Sequence, residues 1–532
     1  MRTRFQRLGL IAALASTSLG ISMGVGQAQI QQPVRGGTVI FAMGGDPVMT
    51  NPVLSSGVAE GLIGCMLYQG LAITTPDWEV HPMLAKSWTI SDDGKIYTFE
   101  LNKANWSDGK PFTSEDVKFS LTEVNPKYGA VYIGAGKAID RIDTPSPDRA
   151  VIHLKEPYGP FLMSQTCTHG GAILPAHIFR GTNPLQNPAS ADKPIGLGPF
   201  MMTEWKRGDL IRMARNPDYR EPGKPYLDEL IGKIIPQATS RVQALQAGEI
   251  DYVSYFYMPT NSYDAVKANS QLSLTPARLP AGIDSMILNV GRKPLDDKRV
   301  RQALLIAIDR DYLMKNAFFG TGEVGIAPFT NGIPWALDPK VDYRVMYKFD
   351  PARANALLEE AGVKRGAGGI RFKVNIVYAA DQADYGSAAA AIKSMWTAIG
   401  VDASVEPGDR TVAYKRMYLD RDYDTALGGY NGYSDPALGM ARIAATSSLN
   451  KTLGNGSGYS NPVVDDLFLK GESATGNAQR APFYQKAQAI LAEDLPVFNL
   501  HEKVPYDAAS KKVMGLENEI FLATWRDAWR AK

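Results

Sequence analysis

Hydrophobic and polar positions along this chain alternate between a period of two and a period near 3.6. The run GGTVIFAM (Gly36–Met43) reads as a buried strand followed by a turn-rich segment, and a helix is predicted from about Ser56 to Leu71. WTI and IYTFEL read as strands around Asp92-Asp93-Gly94, a hairpin signal. Thr113, with Asp116 three residues on, opens a helix in a capping-box-like pattern. RAVIHL is the next strand, and residues 180–196 are loop-like and mark a boundary. PFMMTEW and LIRMARN then form a strand pair, followed by the β segment LIGKIIP and the helix SRVQALQAG.

The most informative stretch comes next. The strand-like run MILN (Met286–Asn289) precedes LDDKRVRQALLIAIDRDYL (Leu295–Leu313). There Asp296 and Asp297 cap a helix whose Val300, Ala303, Leu304 and Ala307 share one face. A second helix opens at Asp350-Pro351 and stops at Gly362, with Asp as N-cap, Pro in the first turn and Gly at the C-terminal end. Residues 364–370 form a flexible connector. Residues 371–407 read strand, helix, strand, a βαβ-like unit that predicts a mixed sheet.

A chain of 532 residues is too long for one core, so two or three lobes are expected. Its 57 basic and 55 acidic residues nearly cancel, and no basic stripe points to nucleic acid. Arg2, Arg4 and Arg7 precede an apolar stretch from Leu8 to about Val25, and Gly26-Gln27-Ala28 offers a signal peptidase site. Residues 1–28 therefore read as a signal peptide, with an uncleaved anchor as the alternative. No later segment is apolar for long enough to span a bilayer. Cys65 and Cys167 are far from the cleavage site, which excludes a lipid-modified N-terminal Cys. They are either a disulfide, which an exported context permits, or two buried thiols.

Recognisable catalytic chemistry is missing. Gly320-Thr321-Gly322-Glu323-Val324-Gly325 matches G-x-G-x-x-G but follows a helical stretch and opens no helix, so it reads as a loop. His501-Glu502 lacks a second His four residues on, and the five His are scattered as solvated or core residues. No nucleophile elbow is present. No cofactor and no resident metal are expected.

Five passages together resemble the extracellular solute-binding proteins of ABC importers, family 5, the peptide/opine/nickel cluster. They are Tyr68–Leu121, Gly196–Arg220, Gln243–Val253, the Met286–Leu313 segment, and Phe349–Gly362 (FDPARANALLEEAG). The resemblance implies an α/β, periplasmic-binding-protein-like fold: two large lobes joined by two hinge strands, plus an extra subdomain, with a ligand cleft between the lobes. Lobe I would comprise 29–58, 196–280 and 504–532; the subdomain 59–195; lobe II 291–495; and the hinge strands 281–290 and 496–503. The implied function is capture of a peptide, opine or related small polar solute in the periplasm by a monomer, and delivery to an inner-membrane permease, with no bond made or broken. A secreted hydrolase, or a chaperone- or adhesin-like interaction protein on the same fold, are the rival readings.

The resemblance also implies ligand contacts. They are Leu54 and Ser55 after the first strand, Tyr132 in the subdomain, Asp284 on the first hinge strand, and Asp384 and Tyr385 after VNIVYA. Tyr430, Asn431 and Tyr433 follow in the loop GYNGYSDPALGM, then Asn499 and His501 on the second hinge strand. In peptide binders this loop holds the ligand's α-ammonium with an Asp three residues before the Asp/Glu-Pro pair. Here the pair is Asp435-Pro436, so that position is Gly432, and the Trp often found upstream is Gly429. Asp284 is then either a substitute acid or a hydrogen-bonded structural acid.

Overall fold

The computed structural model describes residues 32–531, apart from 56–57, 77–78, 130–131, 278–281, 381, 431, 433–434, 452 and 517–523. The expected signal peptide, residues 1–28, therefore lies outside the described residues, as do Asn431 and Tyr433.

The chain opens with β1 (Thr38–Met43) and the helix Val58–Leu67, which ends four residues earlier than its apolar pattern predicts. A small ribbon, β2 (Ala72–Thr74) and β3 (Val80–Pro82), leads to β4 (Ala85–Ile90) and β5 (Ile96–Leu101). Between the latter two the Asp92-Asp93-Gly94 turn forms as expected, with Gly94 N–H donating to the Ser91 carbonyl at 2.8 Å. The helix Ser114–Phe119 follows, with the Thr113 N–H donating to the Asp116 carboxylate at 2.9 Å. β6 (Ile139–Ser146) and β7 (Arg149–Leu154) complete a four-stranded sheet in the order β4-β5-β7-β6. Its core holds Phe99, Trp106, Leu121 and Ile152.

The chain returns to the first sheet with β8 (Phe200–Lys206), β9 (Leu210–Arg215) and β10 (Glu229–Ile234). β11 (Tyr252–Val253) and β12 (Leu272–Pro276) follow. β13 (Ile283–Leu288) then begins a second sheet. β14 (Glu323–Val324), β15 (Phe372–Ala379), β16 (Val401–Gly408), β17 (Thr425–Tyr430) and β18 (Val497–Glu502) complete it. β19 (Tyr506–Ser510) goes back to the first sheet, and β20 (Val513–Met514) pairs with β21 (Trp529–Arg530). The first body is a seven-stranded sheet, β12-β19-β11-β1-β10-β9-β8; the second is six-stranded, β14-β18-β13-β17-β15-β16.

Residues at every level favour these elements. β13 and β18 are buried along their whole length, so their runs IDSMIL and VFNLHE show little alternation. The helix Lys298–Ile306 starts at Asp297, whose carboxylate accepts from the Arg299 N–H at 2.8 Å. Its Val300, Ala303 and Leu304 are fully buried against the second sheet, with Trp396 and Ile392 of the helix Ala383–Ala398 in the same core.

One departure concerns the G-x-G-x-x-G segment. It is not all loop, because its Glu323–Val324 pairs antiparallel with β18. A Cβ on Gly322 would come within 2.2 Å of the Glu502 carbonyl, and one on Gly325 within 2.4 Å of that of Asn499. These glycines serve close backbone packing on a strand.

Cys65 and Cys167 form a disulfide with Cα atoms 5.8 Å apart, closing a segment of 102 residues. Cys65 lies on the helix Val58–Leu67, whose Ile63, Met66 and Leu67 belong to the first sheet's core. Replacing both Cys with Ser is expected to lower unfolding free energy by about 2–5 kcal/mol. Equal denaturant midpoints and slopes for the two proteins would show that the link contributes nothing.

Candidate functional site

Chain order around β15 locates the site. β15 runs parallel to both β16 and β17, which lie on its opposite sides. The chain therefore leaves β15 in one direction and later crosses to the other. At such a switch point, loops at the carboxyl ends of the strands diverge and leave a crevice. β13 is antiparallel to β17 and to β18, with Ile283 opposite Tyr430 and Glu502. The start of β13 and the ends of β15, β17 and β18 thus share one edge.

That edge gathers a charged cluster. Asp284 is its centre, with a side chain only 3% exposed. The Tyr385 hydroxyl donates to Asp284 Oδ1 at 2.6 Å, and Lys503 Nζ lies 2.7 Å from the same oxygen. His501 Nδ1 is 2.8 Å from Asp284 Oδ2, while His501 Nε2 is 2.8 Å from the Thr321 carbonyl. Both ring nitrogens face oxygen acceptors, an arrangement matched by two N–H donors. The ring also stacks on Phe318 with centroids 4.1 Å apart. Burial alone would raise the Asp284 carboxyl, but Lys503 and His501 outweigh it and hold the group at about 2.

Gly429 makes this cluster sterically possible. A Cβ there would sit 2.9 Å from the Tyr385 hydroxyl, so a larger residue would displace the Tyr385–Asp284 hydrogen bond. The space beside Gly429 is thus occupied by an internal contact.

Asp384 lies in the first turn of the helix Ala383–Ala398 and is half-buried. Burial and the Asp284 charge raise its carboxyl, with Lys503 and His501 opposing. Lys503 keeps 39% of its side chain exposed and stands 5.6 Å from the Tyr385 ring centroid. It follows β18 directly and escaped sequence reasoning, which stopped at His501; its place one residue beyond a buried acid was the available signal.

Glu502 was also missed. It is buried, accepting from the Thr330 hydroxyl at 2.7 Å and from Asn499 Nδ2 at 2.5 Å. Burial lifts its carboxyl to about 7, against the hydrogen bonds from Thr330 and Asn499. Rotating the Asn499 amide, whose oxygen has no partner, lets it accept from the protonated acid. A raised folded value means stability is highest below the ordinary 4.5 and falls as pH rises to about 7. The loss is on the order of 3 kcal/mol. Glu502→Gln is expected to flatten that slope. Denaturation midpoints at pH 5, 6, 7 and 8 check it; parallel profiles for variant and wild type would refute it.

The remaining predicted residues lie elsewhere. Tyr132 is fully buried in the four-stranded unit, its hydroxyl donating to Gln165 Oε1 at 3.2 Å. Tyr430 is buried too, donating to the Gly454 carbonyl at 3.1 Å, with its ring at an edge-on angle to Tyr418. Both hydroxyls are satisfied by internal hydrogen bonds. Ser55 donates to Glu60 Oε1 at 2.9 Å, and Leu54 packs partly buried on the first core. Gly432 is buried, and Asp435 is taken by Arg480 in a two-pronged ion pair at 2.5 and 2.7 Å. A surface recess of about 470 Å³ lined by Gln302, Ile306, Tyr347, Phe349 and Arg353 shares no residue with the charged cluster.

Comparison with known proteins places this architecture. The profile of the bacterial extracellular solute-binding proteins, family 5 middle, matches residues 79–451. The dipeptide-binding protein of Escherichia coli K12 is 27% identical, with 97% of each chain covered. The glutathione-binding protein GsiB of the same organism is likewise 27% identical over 97% of each. Among solved structures, the periplasmic binding protein DppA from Helicobacter pylori, in complex with peptide STSA, superposes with a TM-score of 0.76. It is 25% identical, covering 94% of this chain and 99% of that one.

Proposed function

Because this chain belongs to the bacterial extracellular solute-binding proteins of family 5, we propose that it captures a small polar solute between its two sheet-based bodies and hands it to an ABC permease in the inner membrane. Relatives named for dipeptides and glutathione, and one in complex with peptide STSA, support a peptide or related small polar solute, with an opine as the further class the family reading allows. Residues 1–28 act as the export signal, cleaved near Ala28, and the working protein is a periplasmic monomer. β13 and β18, within the expected hinge ranges 281–290 and 496–503, are the hinge strands. Closure is favoured by contacts that exist only in the closed form.

The carrying observation is the charged edge around Asp284. With Lys503, His501 and Tyr385 all on its carboxylate, Asp284 is already neutralised from within. A ligand ammonium gains little there, since a buried charge needs only one set of partners. Gly432 supplies no acid either. The ligand instead meets the partly exposed Lys503 and Asp384.

Purification of the native protein and mass spectrometry of what co-elutes would identify the solute. A panel of peptides, opines and sugars then gives a thermal shift with the true ligand class. Asp384→Asn is expected to weaken that shift while preserving the unliganded melting temperature, whereas Lys503→Met is expected to weaken it and also to lower the unliganded melting temperature, because buried Asp284 loses a cation. A protein that carries nothing small and shifts with no panel member would overturn the proposal.

A further inference from the structure

The four-stranded unit touches the second body at a place separate from the charged edge. Two of its turns make the contact. The Gly159 N–H donates to the Glu472 carbonyl at 2.7 Å. A Cβ on Gly159 would stand 2.5 Å from Arg480 Nε and 2.7 Å from its Cζ, so the turn lies flat on the guanidinium. The second turn is the tip of the β4–β5 hairpin. Gly94 is buried there, where a hairpin tip is ordinarily hydrated, because Thr475 covers it. A Cβ on Gly94 would meet Thr475 Cγ2 at 2.3 Å. Glu472, Thr475 and Arg480 all sit at the junction of the helices Pro462–Ser473 and Asn477–Asp494.

The receiving surface is prebuilt. Arg480 is fixed by Asp435 and by its own Nε donating to the Gly471 carbonyl at 2.7 Å. Tyr158, beside Gly159, is buried within reach of the charges on Glu472, Asp435 and Arg480. The donating unit is tied to the other body. The Cys65–Cys167 bond links it to the helix Val58–Leu67, which packs in the first sheet's core. Any rotation of the first body about the hinges therefore carries these two turns with it.

We infer that the Ser91–Gly94 and Pro157–Gly159 turns form a latch that grips the Glu472–Arg480 helix junction in the closed form and releases it on opening. This rests on the two-body closure proposed above. The latch biases the open–closed equilibrium without touching the solute. One hydrogen bond and a few tight van der Waals contacts suit a reversible device, shifting populations by about tenfold rather than locking one state.

The pair Gly94→Cys/Thr475→Cys tests it. An ideal Cβ at Gly94 is 3.7 Å from Thr475 Cβ, within the separation a disulfide spans. Small-angle scattering of the solute-free protein reads the outcome, so the result does not depend on the ligand being known. Oxidation of the pair is expected to shrink the radius of gyration relative to the reduced form. Gly159→Val, which forces the turn off Arg480, is expected to enlarge it above wild type by raising the open fraction about tenfold. Equal radii for the oxidised pair, the reduced pair and Gly159→Val would overturn the latch, because the contact would then persist in every state. A change in either variant with no solute found would sustain the latch while leaving the transport proposal to fail by its own test.

Discussion

Replacing Arg480 with methionine is expected to destabilise the folded protein by about 3–5 kcal/mol. Arg480 and Asp435 keep only 2% and 6% of their side chains exposed. Burial would lower the guanidinium's proton affinity, yet the Asp435 carboxylate more than reverses that. With Arg480 gone, Asp435 would be a buried charge with no cation. The Gly471 carbonyl would lose a donor as well. The paired change Arg480→Met/Asp435→Leu removes both charges and is expected to recover most of the loss, since well-packed apolar substitutes often equal a buried ion pair. Asp435 also accepts from the Ala437 N–H at 2.9 Å, so about 1 kcal/mol should stay unrecovered. Urea denaturation of the four proteins of the cycle measures this. A double variant no more stable than Arg480→Met would mean the pair's charges are not what matters.

Asp284→Asn is the second large expected effect, a loss of about 2–4 kcal/mol at pH 7. Asp284 is the shared acceptor for His501, Lys503 and Tyr385. The folded carboxyl titrates at about 2, below its ordinary 3.8. The sign follows from that depression. The stabilisation is complete above about pH 4 and disappears as pH falls toward 2. Wild type and variant should therefore converge in acid and diverge on the neutral side. Their unfolding free energies between pH 2 and pH 7 supply the check; a constant gap across that range would show that the carboxylate charge is not the source. Because Glu502 acts in the opposite sense, becoming costly as pH approaches about 7, the most stable range of the wild type is expected on the mildly acidic side.

The sequence carried the scaffold of this site more clearly than its contacts. β13 was readable in part from the run MILN and the helix after Asp297 because its cap and its apolar face agree, whereas β18 came only with the family resemblance, since Asn499, His501 and Glu502 interrupt its apolar residues. Asp384 and Tyr385 were locatable because they follow the last residues of a strand. Partners were harder. Arg480 lies 45 residues from Asp435, and nothing local to either announces the other. Tyr132 and Tyr430 were expected in the cleft from their place in the family resemblance, and the oxygens their hydroxyls meet, Gln165 Oε1 and the Gly454 carbonyl, lie 33 and 24 residues away and are not legible locally. Asp284 shows the reverse. Its two readings could be separated only by learning that Lys503, His501 and Tyr385 converge on it, 219, 217 and 101 positions away by residue number.

The position of β19 has a further consequence. It lies between β12 and β11, inside the seven-stranded sheet rather than at its margin, yet it comes from the last thirty or so residues of the chain. Until those residues emerge, β12 has no neighbour and β11 lacks one edge. Synthesis or passage through a membrane pore that proceeds from the N-terminus thus delivers a first body unable to close its sheet until almost the whole polypeptide is out. Pairing over such sequence distances is slow. The same arrangement joins β1 and β19, near the two ends of the described residues, in one sheet.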